Sequence, residues 1–333
     1  MPIVSIIIPC YNEQDTIGEL LAAIDGQTYP HDNLEVIIAD GISTDQTRQR
    51  VADFQARHPG LDIRLVDNPQ KIIPAGLNRA IQASRGQIII RLDAHSKPYP
   101  DYVARCVEAL DSNLGENVGG VWEIRPRHTG WIPEAIAVAA AHPLGVGDAR
   151  YRLASKSAYV DTVPFGAFKR ELLALIGFFD ETLLTNEDYE FNARIRKSGG
   201  KIWLDPSIRS IYYAQPTLSG LAHQYCRYGF WKWRMLRRYP DTLRWRQALP
   251  PLFVLTLLIG MMAGFALPVI WGFLAIEVLL YAAVLLIISF LTSICKRKPF
   301  LTIGLPLAIA TMHISWGAGF LWSMIKPIHR KLA

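Results

Sequence analysis

No Cys-x-x-Cys pair occurs in the 333 residues; Cys10, Cys106, Cys226 and Cys295 stand far apart. Such spacing builds neither a disulfide framework nor a cysteine-ligated zinc site, and it agrees with a reducing compartment. The stretch Met1-Pro2-Ile3-Val4-Ser5 has no basic start, apolar core or small-residue cleavage site. It is not read as a secretory leader, and the front of the chain is expected to stay in the cytosol. After the first β-branched run comes Pro9-Cys10-Tyr11-Asn12-Glu13, where a dinucleotide enzyme would carry Gly-x-Gly-x-x-Gly. The missing glycines argue against a nicotinamide-dependent oxidoreductase. Charge is scarce in the last quarter of the chain. From Leu249 to Ile294 the only charged side chain is Glu277, and Phe300 to Ile325 holds no Asp, Glu, Lys or Arg.

With 50% hydrophobic and 19% charged residues, the chain is too apolar for a disordered protein. A helix needs about 20 apolar residues to cross the roughly 30 Å hydrocarbon layer. Residues 252–271, 272–294 and 300–325 each reach that length, which predicts a membrane domain over 249–333 with about three hydrophobic helices. Pro268 and Gly272 mark the expected turn between the first two. Just before them, over 216–248, lie Arg227, Lys232, Arg234, Arg237, Arg238, Arg244 and Arg246 against Asp241, interleaved with Tyr228, Trp231, Trp233, Tyr239 and Trp245. Nucleic acid is one partner for a basic-aromatic stretch. Its place beside the apolar runs favours instead an interfacial helix on an anionic cytoplasmic leaflet, and no nucleic-acid partner is expected.

The positive charges predict a multi-pass protein of the inner membrane with Arg234–Arg246 and Lys296-Arg297-Lys298 cytosolic. An ordinary third span, the path favoured here, would put Lys326, Arg330 and Lys331 outside, against the positive-inside rule. Gly304, Pro306, His313, Gly317 and Gly319 would permit a broken or re-entrant path, provided protein satisfies the freed backbone groups.

Residues 1–215 read as a separate α/β domain. Short β-branched runs at 4–8, 34–39, 63–66 and 87–92 alternate with helix-like stretches near 16–24, 44–57 and 74–84. That order predicts βαβ crossovers and a parallel sheet, with ligands at the carboxyl ends of its strands. Pro9, Tyr11 and Glu13 follow the first strand and suit a pocket that stacks on a base and hydrogen-bonds its edge. Asp40-Gly41-Ile42-Ser43-Thr44-Asp45 ends the second strand and Asp93-Ala94-His95 the fourth. Asp40 and Ser43 taken singly are also good turn or helix-cap residues. Asp93 and His95 are spaced to place two ligands on one divalent ion, which would bridge phosphates and neutralise a leaving nucleoside diphosphate. A histidine there suits Mn²⁺ better than Mg²⁺, and a strand end without metal is the plainer alternative.

These pieces, with Gly76-Leu77-Asn78 and Thr185-Asn186-Glu187-Asp188, resemble glycosyltransferase family 2 over roughly the first 210 residues. The resemblance implies a GT-A nucleotide-sugar-binding fold. It assigns Pro9, Tyr11, Glu13, Asp40, Asn78 and Asp93 to the donor, with His95 beside Asp93 on the metal side, Mn²⁺ or Mg²⁺. The family more often has paired acids where Ala39-Asp40 stand, and an acid in place of His95. Asp188, at the start of a helical run, resembles the catalytic base of an inverting enzyme, and Glu187 would orient it or bind the acceptor. Gln224-Tyr225-Cys226-Arg227-Tyr228 is similar to the Gln-x-x-Arg-Trp element of membrane-bound members. It implies Arg227 on the diphosphate and Gln224 and Tyr228 on the acceptor sugar, although an interfacial role suits the same residues. The whole chain resembles the succinoglycan-type glucosyltransferase group. This implies transfer of a hexose from a UDP-sugar to a polyprenyl-diphosphate-linked or other lipid-linked saccharide in exopolysaccharide synthesis. A processive polysaccharide synthase and a nonenzymatic nucleotide-sugar-binding protein are the alternatives.

Overall fold

The computed structural model describes residues 1–326; Arg330 and Lys331, which bear on the topology of the C-terminus, lie outside them. The elements run β1 (Val4–Cys10), α1 (Ile17–Asp25), β2 (Leu34–Asp40), α2 (Thr47–Arg57), β3 (Asp62–Asp67), α3 (Ile73–Ala83), β4 (Ile88–Arg91), β5 (Ser96–Pro98), α4 (Tyr102–Asp111), β6 (Asn117–Pro126), α5 (Trp131–Ala140), α6 (Pro143–Val146), α7 (Arg150–Leu153), β7 (Ala158–Tyr159), β8 (Ala167–Lys169), α8 (Leu172–Ile176), α9 (Glu187–Lys197), β9 (Ile202–Ala214), α10 (Leu218–Leu236), α11 (Trp245–Gly264), α12 (Val269–Lys296) and α13 (Leu301–Ile325). They divide into two units: Met1–Glu123 with Arg150–Tyr212, and Ile124–Ala149 with the chain from Tyr213 onward. Residues 124–149, placed by the sequence in the domain 1–215, group with the C-terminal helices. The reason is the apolar face of α5, whose Ala135, Ile136 and Ala139 share a core with Leu305, Ala308 and Met312 of α13.

In the first unit the sheet order is β3-β2-β1-β4-β8-β6-β9-β5, with β7 on β9. β1 to β4 pair in parallel, as the βαβ order predicts. β8 joins β4 and β6 antiparallel, and β9 takes β5 and β7 antiparallel, so the sheet is mixed and not wholly parallel. Side chains alternate between its faces. Val4, Ile6, Ile8, Val36 and Ile38 pack with Leu20 and Leu21 of α1 and Val103 of α4, whereas Ile7, Ile37 and Ile89 pack with Leu77 of α3 and Phe191 of α9. Burial on both faces explains why β1 and β2 read as largely apolar runs, interrupted by Ser5 and Glu35, whose side chains bond each other at 2.5 Å. The register Cys10↔Asp40↔Asp67 brings the carboxyl ends of β1, β2 and β3 level.

In the second unit, α11, α12 and α13 are each long and apolar enough to cross a membrane. The first apolar helix spans Trp245–Gly264 instead of 252–271, and the turn falls at 265–268, just ahead of the expected Pro268–Gly272. Pro250 and Pro251 read as breakers but lie inside α11. They deprive the carbonyls of Arg246 and Gln247 of helical donors, and the Gln247 carbonyl accepts from Trp316 Nε1 at 3.3 Å. α10 and α13 lie against each other closely. A Cβ on Gly319 would stand 2.1 Å from the Cys226 carbonyl oxygen, and one on Gly229 equally near that of Trp316.

Candidate active site

The segments after β1 and β2 are stitched together by backbone N–H groups that donate to side-chain oxygens. Asn12 N–H donates to Ser43 Oγ at 2.9 Å, Glu13 N–H to Thr47 Oγ1 at 2.8 Å, and Thr44 N–H to Asn12 Oδ1 at 2.9 Å. Asn12 takes a left-handed φ of 54° to make this possible. Tyr11 is exposed and lies over Gly41, where a Cβ would come within 3.0 Å of the ring; Lys71 Nζ sits 5.4 Å from the ring centroid. A flat aromatic surface flanked by a cation is suited to a nucleobase.

Asp40 is fully buried and already engaged: it accepts from Ser43 Oγ at 2.5 Å, Ser43 N–H at 3.0 Å and Arg48 Nε at 2.6 Å. Its turn-forming role, open in the sequence, is thus realised in the structure. Glu13 Oε1 faces His95 Nδ1 at 3.0 Å, and Thr16 Oγ1 donates to Oε2 at 2.6 Å. Burial would raise the Glu13 carboxyl, but the His95 contact, followed by the Thr16 hydroxyl, holds it below its ordinary value. Asn78 is turned to the 178–181 segment: its amide donates to the Phe179 carbonyl and Glu181 Oε1, each at 2.9 Å, and accepts from Phe179 N–H at 2.9 Å.

A second cluster joins the ends of β4 and α9. Arg91, 3% exposed, donates through Nε and Nη2 to Asp93 Oδ1 at 3.1 and 3.0 Å, and through Nη2 to Glu187 Oε1 at 2.7 Å. Burial alone would lower the Arg91 pKa, but Asp93, Glu187 and Asp188 outweigh it and keep the guanidinium charged. Asp188 is pushed up to about 6, by burial first and the Glu187 charge second, against the opposing pull of Arg91 and the Tyr189 N–H. That N–H donates to Asp188 Oδ1 at 2.8 Å. A carboxyl poised near neutrality suits a general base.

Arg91 went unnoticed in the sequence, although a charge closing the buried run Ile88-Ile89-Ile90 was a readable signal. Also unforeseen is an aromatic group in which Trp122 stacks on Tyr212 at 4.3 Å with Arg152 5.2 Å from the indole centroid. Neighbouring Tyr151 is pushed up chiefly by burial, and the Asp188 charge adds to the shift.

Among the described residues no group of three or more His, Cys, Asp or Glu side chains is set to hold a metal ion. His95 is placed with Glu13 at 3.0 Å. Among the described residues Asp93 Oδ2 has no hydrogen bond, and three carboxylates surround one guanidinium. The residues therefore fit a divalent ion held by Asp93 and completed by donor phosphates and water, as such ions commonly are. In the second unit Gln224 Nε2 donates to Tyr228 Oη at 3.1 Å along α10, and Arg227 is exposed on the same helix.

Residues 5–177 match the family described as Glycosyl transferase family 2. The chain is 28% identical over 332 residues to the dolichyl N-acetyl-alpha-D-glucosaminyl phosphate 3-beta-D-2,3-diacetamido-2,3-dideoxy-beta-D-glucuronosyltransferase of Methanococcus voltae, covering 98% of both proteins. It is 29% identical over 331 residues to succinoglycan biosynthesis protein ExoA of Rhizobium meliloti (strain 1021), covering 98% of this chain and 96% of that one. In fold it matches the mannosyltransferase PcManGT from Pyrobaculum calidifontis, solved with GDP-Man and Mn²⁺, with a TM-score of 0.63, 24% identity, and coverage of 96% and 87%. The family match takes in the strand ends that carry Glu13, Asp40 and Asp93, and the two relatives extend the likeness along the whole chain. With a GT-A nucleotide-sugar fold built around those residues, the chain belongs to glycosyltransferase family 2 and is a glycosyltransferase.

Proposed function

We propose that this glycosyltransferase inverts the sugar it transfers. It would move one hexose from UDP-glucose or a similar UDP-sugar to a polyprenyl-diphosphate-linked or other lipid-linked saccharide during exopolysaccharide or cell-surface glycan synthesis. The observation that carries the reading is the place of Asp188 at the start of α9, next to Glu187, which shares Arg91 with Asp93. Asp188 would take the proton of the acceptor hydroxyl as its oxygen bonds to the sugar C1 from the face opposite the diphosphate. The C1–O bond to phosphate breaks and its electron pair leaves with the nucleoside diphosphate. A divalent ion, Mn²⁺ or Mg²⁺, would supply charge neutralisation at that diphosphate. Tyr11 and Glu13 would bind the base. The roles of Arg227 on the diphosphate and of Gln224 and Tyr228 on the acceptor rest on the family resemblance alone.

The lipid-linked acceptor is supported by the relative named for a dolichyl phosphate-linked sugar, and the polysaccharide product by the relative named for succinoglycan biosynthesis. The three apolar helices support a place in the inner membrane, and the basic residues before α11 and after α12 support a cytosolic catalytic domain. The test is incubation of the protein in membranes carrying lipid-linked saccharides with a panel of UDP-sugars and GDP-mannose. One UDP-hexose should label a lipid-extractable product with Mn²⁺ present, and excess chelator should abolish labelling. A GDP-sugar as the sole donor, or full activity in chelator, would contradict the reading.

A further inference from the structure

We infer that Arg91 is a positioning residue: one guanidinium fixes the carboxylate that faces the donor, Asp93, and the carboxylate beside the base, Glu187, in a single arrangement. This rests on the assignments of Asp93 and Asp188 made above. Asp93 and Glu187 come from segments far apart in sequence, and Arg91 Nη2 reaches both, at 3.0 and 2.7 Å. Among the described residues neither carboxylate side chain has another hydrogen-bonding partner. Without Arg91 both would be free to rotate, and a cluster of like charges would favour their separation.

The anchor itself is rigid. Arg91 N–H donates to the Gly166 carbonyl at 3.0 Å, and Gly166 has a left-handed φ of 71°. A Cβ there would stand 2.6 Å from Asn117 Oδ1, so glycine is needed at that turn. Asn117 Nδ2 in turn donates to Asn192 Oδ1 at 2.6 Å, on the same helix as Glu187. The main chain of Arg91 is thus bonded to a fixed turn, and its guanidinium reaches α9 through Glu187. Its Nη1 is buried without a partner, a donor that neither Asp93 nor Glu187 uses. A buried unpaired guanidinium nitrogen is costly unless a ligand oxygen meets it. Lysine could supply the charge but not the planar fork that spans two carboxylates.

The experiment uses the full chain in detergent or nanodiscs with Mn²⁺ and UDP as binding probes, and transfer from the active UDP-hexose as the kinetic probe. Arg91→Lys should keep its melting temperature and its donor KM within about threefold while kcat falls about 30-fold or more. Half-saturation by Mn²⁺ in the UDP-binding assay should rise at least about fivefold, a change that a merely structural role would not produce at unaltered melting temperature. Arg91→Lys combined with Glu187→Gln should lose little beyond the worse single variant, because both act through one contact. Should Arg91→Lys fail to fold, the charge-balanced pair Arg91→Gln with Glu187→Gln is compared with Glu187→Gln alone and should show the same rise in Mn²⁺ half-saturation. Wild-type kcat and Mn²⁺ half-saturation in Arg91→Lys, or additive losses in the double variant, would overturn the inference. If wild-type protein transfers no sugar, the functional reading fails, while the Mn²⁺ and UDP binding arm still reports on Arg91.

Discussion

Asp188 keeps its proton up to about pH 6, well above the ordinary 3.8, because burial and Glu187 outweigh Arg91. The base form is the minority below that pH, so kcat/KM should rise with pH through about 6. Glu187→Gln removes a raising charge and should move this limb to lower pH; an unmoved limb would show that another group titrates. Stability has the opposite sign. The folded protein binds this proton more tightly than the unfolded chain, so stability falls as pH rises between about 4 and 6. Asp188 stood out in the sequence by its family motif and its expected place at a helix start, and it does lie at the start of α9. Arg91 did not, since only the fold reveals that a strand-end arginine meets a helix start about a hundred positions on. Asn78 matched a family motif, yet its amide is spent on the Phe179 backbone, a partner that no local pattern could indicate.

The strands β1 to β4 and the helices between them follow the β-branched runs and amphipathic periods closely, because each is specified by residues within one element and its neighbour. β5, β7 and β8 have two or three residues each and acquire strand geometry only from pairing with distant segments. α13 shows the same limit differently. Its length and composition fit a span, but its polar contacts recur along it. Lys298, just before it, reaches Glu134 at 2.7 Å, His313 faces the Leu144 carbonyl at 2.9 Å, and Arg234 Nε donates to Ser323 at 3.4 Å. Protein partners meet each of these polar groups, which lowers the cost of carrying them in a membrane. Because α13 runs unbroken over Leu301–Ile325, the ordinary third span is the path we propose, with Lys326 opposite Lys296-Arg297-Lys298 against the positive-inside rule. A cysteine at Ala333, in a background cleared of the native thiols, should be labelled by an impermeant reagent in intact cells without permeabilisation. Protection until permeabilisation would overturn the third span.

The chain passes between its two units at 123–124, 149–150 and 212–213, so neither unit is one continuous stretch of sequence. A boundary read from composition marks where charge gives way to apolar runs, near 215, but cannot show that 124–149 buries its apolar helix among later ones. Function was more legible than this division, because glycosyl transfer depends on a few side chains at strand ends and a helix start. The account's central claim is that Asp188 is the base, and Asp188→Asn tests it most directly when turnover and nucleotide affinity are measured on one preparation. Transfer should fall at least about 10²-fold while UDP binding stays within about threefold of wild type. Near-normal transfer by Asp188→Asn, with UDP still bound, would contradict the account.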